Sequence, residues 1–341
     1  MTGGPVRVVQ FRQTGVPAEV LETSQAAVPS PGLGEVRVRM LAAPINPSDL
    51  MFVRGHYTLK ASVPAVPGFE GTGVVEDSGG GLRGRLFRGK RVVVLSSNGG
   101  TWGEQLVLPS TRIVPIPQTL SDEQAATFFV NPATAWVMTQ EVLQIPRGQW
   151  LVQTAAGSAL GRMIVRLGRH LGFRTLSVVR RQQTAAELRA LGGDAVHVHD
   201  DTASDPQELS AALRGIAGPD GVRYAIDAVG GSTGTGLVLS LGRGGRMLAF
   251  GTLSGQPLSF SPRTLMTVGS RVEGFWLGNF MEQQGLVFRL RLVRRLIRLI
   301  RAGVLSSEIA GSWPLDQVHE AVAAAEDSGT AGKCLLRLDT T

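Results

Sequence analysis

Residues 150–162 constrain the fold of this chain more than any other stretch. Leu151 and Val152 form a short apolar strand, and residues 155–161 follow as a turn of small side chains. Apolar residues then recur at helical spacing. Such a turn lets the backbone approach a phosphate group closely, and the N-terminus of the next helix offers unpaired N–H groups with a partial positive charge.

A strand, a turn of small residues and a helix are together typical of the dinucleotide-binding unit of a Rossmann sheet. The glycine pattern is imperfect here. Gly157 and Gly161 are glycines, but Ser158 and Ala159 stand where many such turns have glycine. On this motif alone, a plain strand–helix turn remains the alternative.

The end of the next strand indicates which dinucleotide binds. Residues 174–179 are rich in β-branched side chains, and Arg180 and Arg181 follow them. Proteins that bind NAD tend to carry an acidic residue there for the ribose hydroxyls, whereas two guanidinium groups suit a 2′-phosphate. The sequence therefore predicts NADPH, with two solvated arginines at a strand end as the alternative.

Composition limits the class of protein. The 341 residues suffice for two domains, and 43% hydrophobic with 18% charged residues fits a globular protein. Cys334 is the only cysteine, so no intramolecular disulfide can form. We see no signal peptide and no apolar run that could span a bilayer, and predict a cytoplasmic protein without a membrane partner.

The net charge of +7 comes almost entirely from arginine. A basic surface favours anionic substrates or carriers. The most basic segment is the helix predicted between Gly285 and Gly303, whose arginines recur every three or four residues opposite a face of leucines. A solvated face is the simpler explanation, and a contact with an anion such as a carrier phosphate is the functional one. We consider nucleic acid an improbable partner, because abundant arginine with alanine and glycine can reflect a GC-rich genome.

The order of predicted elements separates two regions. Residues 1–120 contain short alternating strands divided by glycine-rich turns, which predicts a partly open barrel. Strands and helices alternate after that, which predicts a parallel sheet covered on both faces. Ser121–Gln124 and Thr184–Glu187 have the form of capping boxes at helix starts, and Val272–Leu277 is the sixth predicted strand of this sheet.

Several short motifs resemble the medium-chain dehydrogenase/reductase superfamily. Its zinc-independent branch of 2-enoyl-thioester reductases and quinone oxidoreductases is the most similar part. The resemblance covers nearly the whole chain and rests on Ile45-Asn-Pro-Ser-Asp49, Gly55-His-Tyr57, Pro67-Gly-Phe-Glu-Gly-Thr-Gly73, Asn131-Pro-Ala-Thr-Ala-Trp136, the turn at 155–161 and Gly274-Phe-Trp276.

The resemblance implies an α/β fold in which a doubly wound parallel Rossmann sheet is inserted in a β-rich, GroES-like, partly open barrel domain. We place the catalytic domain at residues 1–122 with 279–341, and the NADPH-binding domain at residues 123–278. Zinc-dependent relatives have Gly-His-Glu where this chain has Gly68-Phe69-Glu70. Without that histidine and with one cysteine, we expect no metal site and no zinc.

The resemblance also implies site residues. Tyr57 is the expected catalytic donor to the substrate carbonyl, with cleft lining or packing on the nicotinamide as the alternative. Asn46, Phe275 and Trp276 are expected to line the substrate pocket. The expected NADPH-binding residues are Thr134, Ala156, Gly157, Ser158, Ala159, Leu160, Gly161, Arg180, Arg181, Gly251, Thr252 and Lys333.

The predicted activity is NADPH-dependent reduction of the C=C bond of an α,β-unsaturated carbonyl, most simply a 2-enoyl thioester on coenzyme A or acyl carrier protein. A quinone or enone reductase is the alternative. A catalytically weak NADPH sensor or RNA-binding protein is the alternative from a different class. The resemblance also implies a homodimer, in which the edge at the sixth strand pairs with its mate across a two-fold axis.

Overall fold

Apolar residues that alternate along short segments form a mostly antiparallel sheet in one part of the chain, and buried apolar runs form a parallel sheet in the other. The computed structural model describes residues 4–199, 205–327 and 332–339. Contacts divide the chain into two units, one of residues 1–130 with 306–341 and one of residues 131–305.

The first unit is rich in strands, which are numbered in chain order with those of the second. They are β1 (Val6–Phe11), β2 (Leu21–Ala26), β3 (Glu35–Pro44), β4 (Glu70–Ser78), β5 (Arg91–Leu95), β6 (Gln105–Pro109), β7 (Ile113–Pro115), β14 (Ile309–Pro314) and β15 (Lys333–Arg337). Its α-helices are α1 (Pro17–Val20), α2 (Pro47–Val53), α3 (Leu82–Phe87), α4 (Asp122–Ala126) and α13 (Val318–Glu326).

Strand β3 organises the main sheet of this unit. The strands lie in the order β14-β15-β3-β4-β5-β7, with β6 also paired to β3. Residues 35–39 of β3 pair with β6, and residues 42–44 pair with β15 near the end of the chain. The order of strands does not close on itself, which confirms the partly open, β-rich character predicted for this region.

The second unit contains the parallel sheet. Its strands are β8 (Trp150–Gln153), β9 (Arg174–Val179), β10 (Ala195–Val198), β11 (Val222–Asp227), β12 (Leu241–Ala249) and β13 (Arg271–Gly274). Its α-helices are α5 (Val130–Trp136), α6 (Ala159–Leu171), α7 (Gln182–Ala190), α8 (Pro206–Ala217), α9 (Gly231–Ser240), α10 (Pro262–Val268), α11 (Leu277–Glu282) and α12 (Leu286–Arg301).

The order of this sheet is β10-β9-β8-β11-β12-β13, with every neighbouring pair parallel. Numbered within the sheet, this is the 3-2-1-4-5-6 order of a doubly wound dinucleotide-binding fold, as predicted. The direction of winding changes between β8 and β11. Ligands of open parallel sheets bind beyond the carboxyl ends of the strands at such a point.

Some predicted element bounds are wrong. The sixth strand ends at Gly274 rather than Leu277, because the chain turns into α11 after Trp276. Helix α7 begins at Gln182, so Thr184 lies inside it and is not its cap. The box at Ser121–Gln124 is present, with both of its reciprocal hydrogen bonds.

The observed division also differs from the predicted domain bounds. Residues 123–130 group with the first unit, where the N–H groups of Phe129 and Val130 donate to the Glu70 carboxylate. Helix α12 groups with the second unit, where the Arg295 guanidinium lies 4.3 Å from the centroid of the Trp136 ring. Within the described residues, no helix is both long enough and apolar enough to cross a membrane.

Candidate functional site

The turn between β8 and α6 is shaped by close backbone packing. Ala155 adopts a φ of +48°, a conformation that side chains rarely take. Gly161 lies so near Ala156 that an added Cβ would come within 2.4 Å of its carbonyl oxygen. The absence of a side chain at Gly161 therefore lets the first turn of α6 pack directly against the backbone of the preceding turn, as a phosphate-binding turn requires.

Ser158 begins the helix as its N-cap, and the Gly161 N–H donates to Ser158 Oγ at 3.2 Å. The first turn of α6 holds no acidic residue, so no side chain of that turn opposes an anion at this helix end. The structure thus gives Ser158 a local structural role. Its contact with the cofactor, like those of Ala156, Gly157, Ala159 and Leu160, stays a prediction.

Arg162 stabilises the turn, although the sequence patterns did not identify it as a site residue. Its Nε donates to the Gly157 carbonyl oxygen at 3.0 Å, and its Nη2 pairs with Glu187 of α7. This pairing lowers the pKa of Glu187. Glu187, which was predicted to complete a capping box with Thr184, therefore links α7 to the turn through Arg162.

A buried hydrogen-bonded pair of side chains lies where the winding of the sheet changes. Thr154 Oγ1 donates to Asp227 Oδ1 at 2.6 Å and accepts the Ala228 N–H at 2.9 Å. The same carboxylate accepts the N–H of Val229 at 3.0 Å and of Gly230 at 2.9 Å. Asp227 thereby fixes the loop after β11, and only its position at a strand end could have indicated this from the sequence.

Arg180 and Arg181 are both exposed at the carboxyl end of β9, beside β8 in the sheet. Residues 180–183 include no carboxylate that could hold a ribose diol. Gly251 and Thr252 follow β12, the strand beyond β11, and an added Cβ on Gly251 would meet the Ala228 carbonyl oxygen at 2.6 Å. Thr134 is buried in α5.

The first unit contains a buried cluster of Asn46, Asp49, Glu70 and Lys333, which we call the polar cluster. The Lys333 ammonium donates to Asn46 Oδ1, and Asn46 Nδ2 donates to Glu70 Oε1 at 3.1 Å. The structure thus joins two predicted site residues, one assigned to substrate and one to the cofactor. Asp49 and Glu70 were not predicted as site residues.

The Asp49 carboxylate links two of the three segments that contribute to the polar cluster. Its carboxylate accepts the Asn46 N–H at 2.7 Å and the Phe69 N–H at 3.1 Å. The first bond belongs to the capping box that begins α2. One buried side chain therefore connects the start of α2 to the segment before β4.

Burial dominates the electrostatics of the polar cluster. Desolvation raises the pKa of Asp49 to about 7, and the Glu70 charge adds to the rise while the Asn46 N–H and Lys333 oppose it. Desolvation also raises the pKa of Glu70 and lowers the pKa of Lys333. Two carboxyl groups and one ammonium thus share a site that water hardly reaches.

Tyr57 packs beside this cluster. Its ring lies 5.2 Å from the ring of Phe69, centroid to centroid, and Phe69 in turn contacts Phe52 at 5.4 Å. Burial, and then the charge of Asp49, raises the pKa of Tyr57 to about 12. The hydroxyl therefore stays protonated at physiological pH and can act as a hydrogen-bond donor.

Phe275 and Trp276 belong to the second unit. The Phe275 N–H donates to the Ala249 carbonyl oxygen at 2.8 Å, and Trp276 precedes α11 with its side chain partly exposed. Their place in a substrate pocket stays a prediction. Among residues 4–199, 205–327 and 332–339, no three His, Cys, Asp or Glu side chains are grouped as metal ligands would be.

Two family models match the chain. One, described as zinc-binding dehydrogenase, covers residues 159–290, and the other, an alcohol dehydrogenase GroES-like domain, covers residues 32–118. They fall in the parallel-sheet unit and in the strand-rich unit. The zinc in the first description names its model and not an observed site of this chain.

Known proteins match over nearly the full length. The mitochondrial enoyl-[acyl-carrier-protein] reductase of Homo sapiens is 31% identical over 337 residues, which are 98% of this chain and 89% of the relative. The corresponding enzyme of Xenopus tropicalis is 31% identical over 331 residues, 95% of this chain and 92% of the relative.

Solved structures agree with this placement. A proposed NADPH:quinone reductase from Bacillus thuringiensis has a TM-score of 0.90 at 31% identity, over 99% of this chain and 100% of that one. Etr1p in complex with NADP and crotonyl-CoA has a TM-score of 0.84 at 25% identity, over 98% and 99%. The chain thus belongs to the medium-chain dehydrogenase/reductase superfamily, within its zinc-independent branch of enoyl-thioester and quinone reductases.

Proposed function

We propose that this protein is an NADPH-dependent reductase of the C=C bond of 2-enoyl thioesters. The observation that carries the proposal is the near full-length likeness to enoyl-[acyl-carrier-protein] reductases. The two sites described above support it, since one is suited to a dinucleotide and the other carries a protonated hydroxyl donor.

The residues of the second unit fit NADPH. Gly161 allows close backbone approach, and the α6 N-terminus offers N–H groups to a pyrophosphate. Arg180 and Arg181 present two exposed guanidinium groups to a 2′-phosphate at the end of β9. We assign Thr134, Gly251 and Thr252 to the same cofactor as part of this proposal.

When bound, NADPH supplies a hydride to the β-carbon of the unsaturated thioester. The electron pair of the C=C bond then moves toward the carbonyl, and negative charge develops on its oxygen. The Tyr57 hydroxyl would donate a hydrogen bond to that oxygen and stabilise the enolate until the α-carbon takes up a proton. The raised pKa of Tyr57 keeps this donor in its neutral, donating form.

Steady-state assays with crotonyl-CoA, a 1,4-quinone and a simple enone test the proposal. We expect NADPH to support crotonyl-CoA reduction with a kcat/KM at least about tenfold above that for the quinone, a difference of roughly 1.4 kcal/mol. A preference for NADH, or faster turnover of the quinone, would contradict it. Quinone reduction is the second candidate because of the Bacillus thuringiensis structure.

We also propose that the protein forms a homodimer through the edge of its parallel sheet. Strand β13 is the last in the sheet order, so one of its edges is unpaired within the described chain. Apolar side chains are exposed on the segments around it, including Met266 at 78%, Trp276 at 38% and Leu286 at 64%. Light scattering at micromolar concentration should give the mass of a dimer, and a monomer would refute the proposal.

A further inference from the structure

Helix α12 presents an unusual surface. It carries six arginines, and no acidic residue occurs between Glu282 and Glu308. Its inner face is apolar, with Leu292, Leu296, Leu299 and Ile300 all buried. The stability of the helix in the fold is thus explained by leucine packing, which leaves its arginines unexplained.

Four of these arginines form one line along the outer face, and we call them the arginine stripe. They are Arg291, Arg294, Arg298 and Arg301, and all are exposed. Residues three and four apart share a helix face, and ten residues span roughly 15 Å. The stripe is therefore a row of positive charge about as long as three turns of helix.

No carboxylate neutralises the stripe within the described residues. The one ion pair found on α12 joins Arg295 to Glu141 at 3.9 Å, and Arg295 also stacks on Trp136. Arg295 therefore serves to hold the helix. Placing like charges at i and i+4 lowers helix stability, so folding alone does not explain the stripe.

We propose that the arginine stripe is the docking surface for an acyl carrier protein, which delivers the thioester substrate on an acidic protein. This rests on the proposed function, because it names the carrier of the enoyl group. The relatives that match along the chain are named for substrates held on acyl carrier protein. A row of guanidinium groups is the complement of a helix that carries carboxylates at the same spacing.

Other anions fit the surface less well. Small molecules bind in concave sites, and the outer face of a helix is convex, so free coenzyme A does not match it. Proteins that bind single-stranded RNA add aromatic side chains for stacking, and the outer face of α12 has none between Arg291 and Arg301. An amphipathic helix that binds membranes exposes its apolar face along its length, whereas α12 buries that face from Leu292 to Ile300 and exposes Leu286, Val287 and Leu290 at its N-terminal end, away from the stripe.

The test compares two substrates in a charge-reversal variant, Arg291→Glu with Arg294→Glu and Arg298→Glu. We expect kcat/KM for crotonyl-acyl carrier protein to fall at least about tenfold, mainly through KM, because interface charges act chiefly on association. Crotonyl-CoA should change by less than about twofold, which shows that the variant is folded and active. Raised ionic strength should weaken the wild-type reaction with the carrier more than that of the variant.

A matched control separates docking from total charge. Arg85→Glu with Arg88→Glu and Arg112→Glu reverses three exposed arginines of the other unit. This control should leave both substrates within about twofold. Equal losses on the carrier in both variants, or equal losses on both substrates in the stripe variant, would overturn the proposal.

Direct binding distinguishes failure of this inference from failure of the proposed function. Fluorescence anisotropy with labelled acyl carrier protein measures docking without turnover, and the stripe variant should bind at least about tenfold more weakly. If the wild type binds the carrier through the stripe but reduces no enoyl thioester, the docking surface is supported and the proposed activity is contradicted. The proposal would be contradicted if the stripe variant lost binding to an RNA oligonucleotide or to anionic vesicles while its binding to the carrier stayed unchanged.

Discussion

The turn before α6 and the polar cluster are built in opposite ways. The turn consists of backbone groups from residues 155–161, which are consecutive in the chain. The polar cluster consists of side chains from β3–α2, β4 and β15, and its Lys333–Asn46 contact joins residues 287 positions apart. A backbone site needs small residues in one place, whereas a side-chain site needs the completed fold.

This comparison predicts where single substitutions act. Changes in the turn should affect cofactor affinity and folding through steric overlap. Changes in or beside the polar cluster should affect the chemical step and its response to pH. Four sets of substitutions test this distinction.

Tyr57→Phe should have the largest effect. If the hydroxyl stabilises the enolate, its removal should lower kcat for crotonyl-CoA about 10²–10³-fold, because the donor acts in the transition state. The ring remains against Phe69, so NADPH affinity should hold. A quinone spreads its charge over an aromatic ring, and its reduction should be spared.

The measurements are kcat for both substrate types and a fluorescence titration with NADPH. Tyr224→Phe alters the other tyrosine of the chain and serves as the control. Small and equal losses on the two substrates would reduce Tyr57 to a packing residue.

Gly161→Ala should destabilise the turn. The new Cβ would lie 2.4 Å from a backbone oxygen, and overpacking of this kind costs roughly 1–3 kcal/mol. NADPH affinity should fall as well, because α6 would have to move away from the backbone of the turn. Gly157→Ala is the matched control, since its Cβ would meet the methyl end of Thr184 at 2.6 Å, which can rotate away.

Thermal unfolding with and without NADPH compares the two alanine variants. Equal Tm values for both would show that close backbone approach at Gly161 is not required.

Removal of both strand-end arginines, Arg180→Ala with Arg181→Ala, should raise the KM for NADPH by at least about tenfold. A hydrogen bond to a charged group contributes roughly 1.5–3 kcal/mol. The 2′-phosphate is remote from the hydride, so kcat should change little. Arg85→Ala with Arg88→Ala controls for charge, and an unchanged preference for NADPH over NADH would remove the assignment.

Asp49→Asn should change the pH dependence of stability. The pKa of Asp49 is about 7 in the fold and about 3.9 in an unfolded chain. Between these pH values Asp49 is protonated in the folded state and ionised in the unfolded chain. The free energy of unfolding therefore decreases as the pH rises from about 4 to about 7. The largest slope for one proton is about 1.4 kcal/mol per pH unit.

The substitution should therefore flatten the fall in Tm between pH 4 and pH 7 by roughly 2–4 °C per pH unit. Asp316→Asn, at an exposed carboxyl of the same unit, should leave that slope unchanged. If Asp49→Asn retains the wild-type slope, Asp49 does not contribute to the pH dependence of stability in this range.

The sequence was sufficient where a pattern lies within one segment. The turn of small residues and the alternation of strands with helices could be predicted, because spacing and side-chain size determine them, whereas the edge position of the sixth strand was implied by the resemblance. The return of the chain end to the first unit was also predicted and is seen in the pairing of β15 with β3.

Contacts between distant segments could not be predicted in the same way. Thr154 and Asp227 are 73 residues apart, and Asn46 and Glu70 are 24 apart, so no local period relates them. Glu187 looked like a capping residue because its spacing from Thr184 was right, yet its carboxylate instead pairs with Arg162. The identity of a partner depends on which surfaces meet, and that is decided by the packing of the whole unit.

The pairing of β15 with β3 has a consequence for synthesis on the ribosome. Residues 131–305 are contiguous, so that unit can fold as soon as it emerges, whereas the sheet begun by residues 35–44 waits for residues 333–337. At about 5–20 residues per second, roughly 15–60 s separate the synthesis of β3 from that of β15. During this interval Asp49 and Glu70 lack the ammonium of Lys333, and the β3 edge at residues 42–44 is open to pairing with other strands.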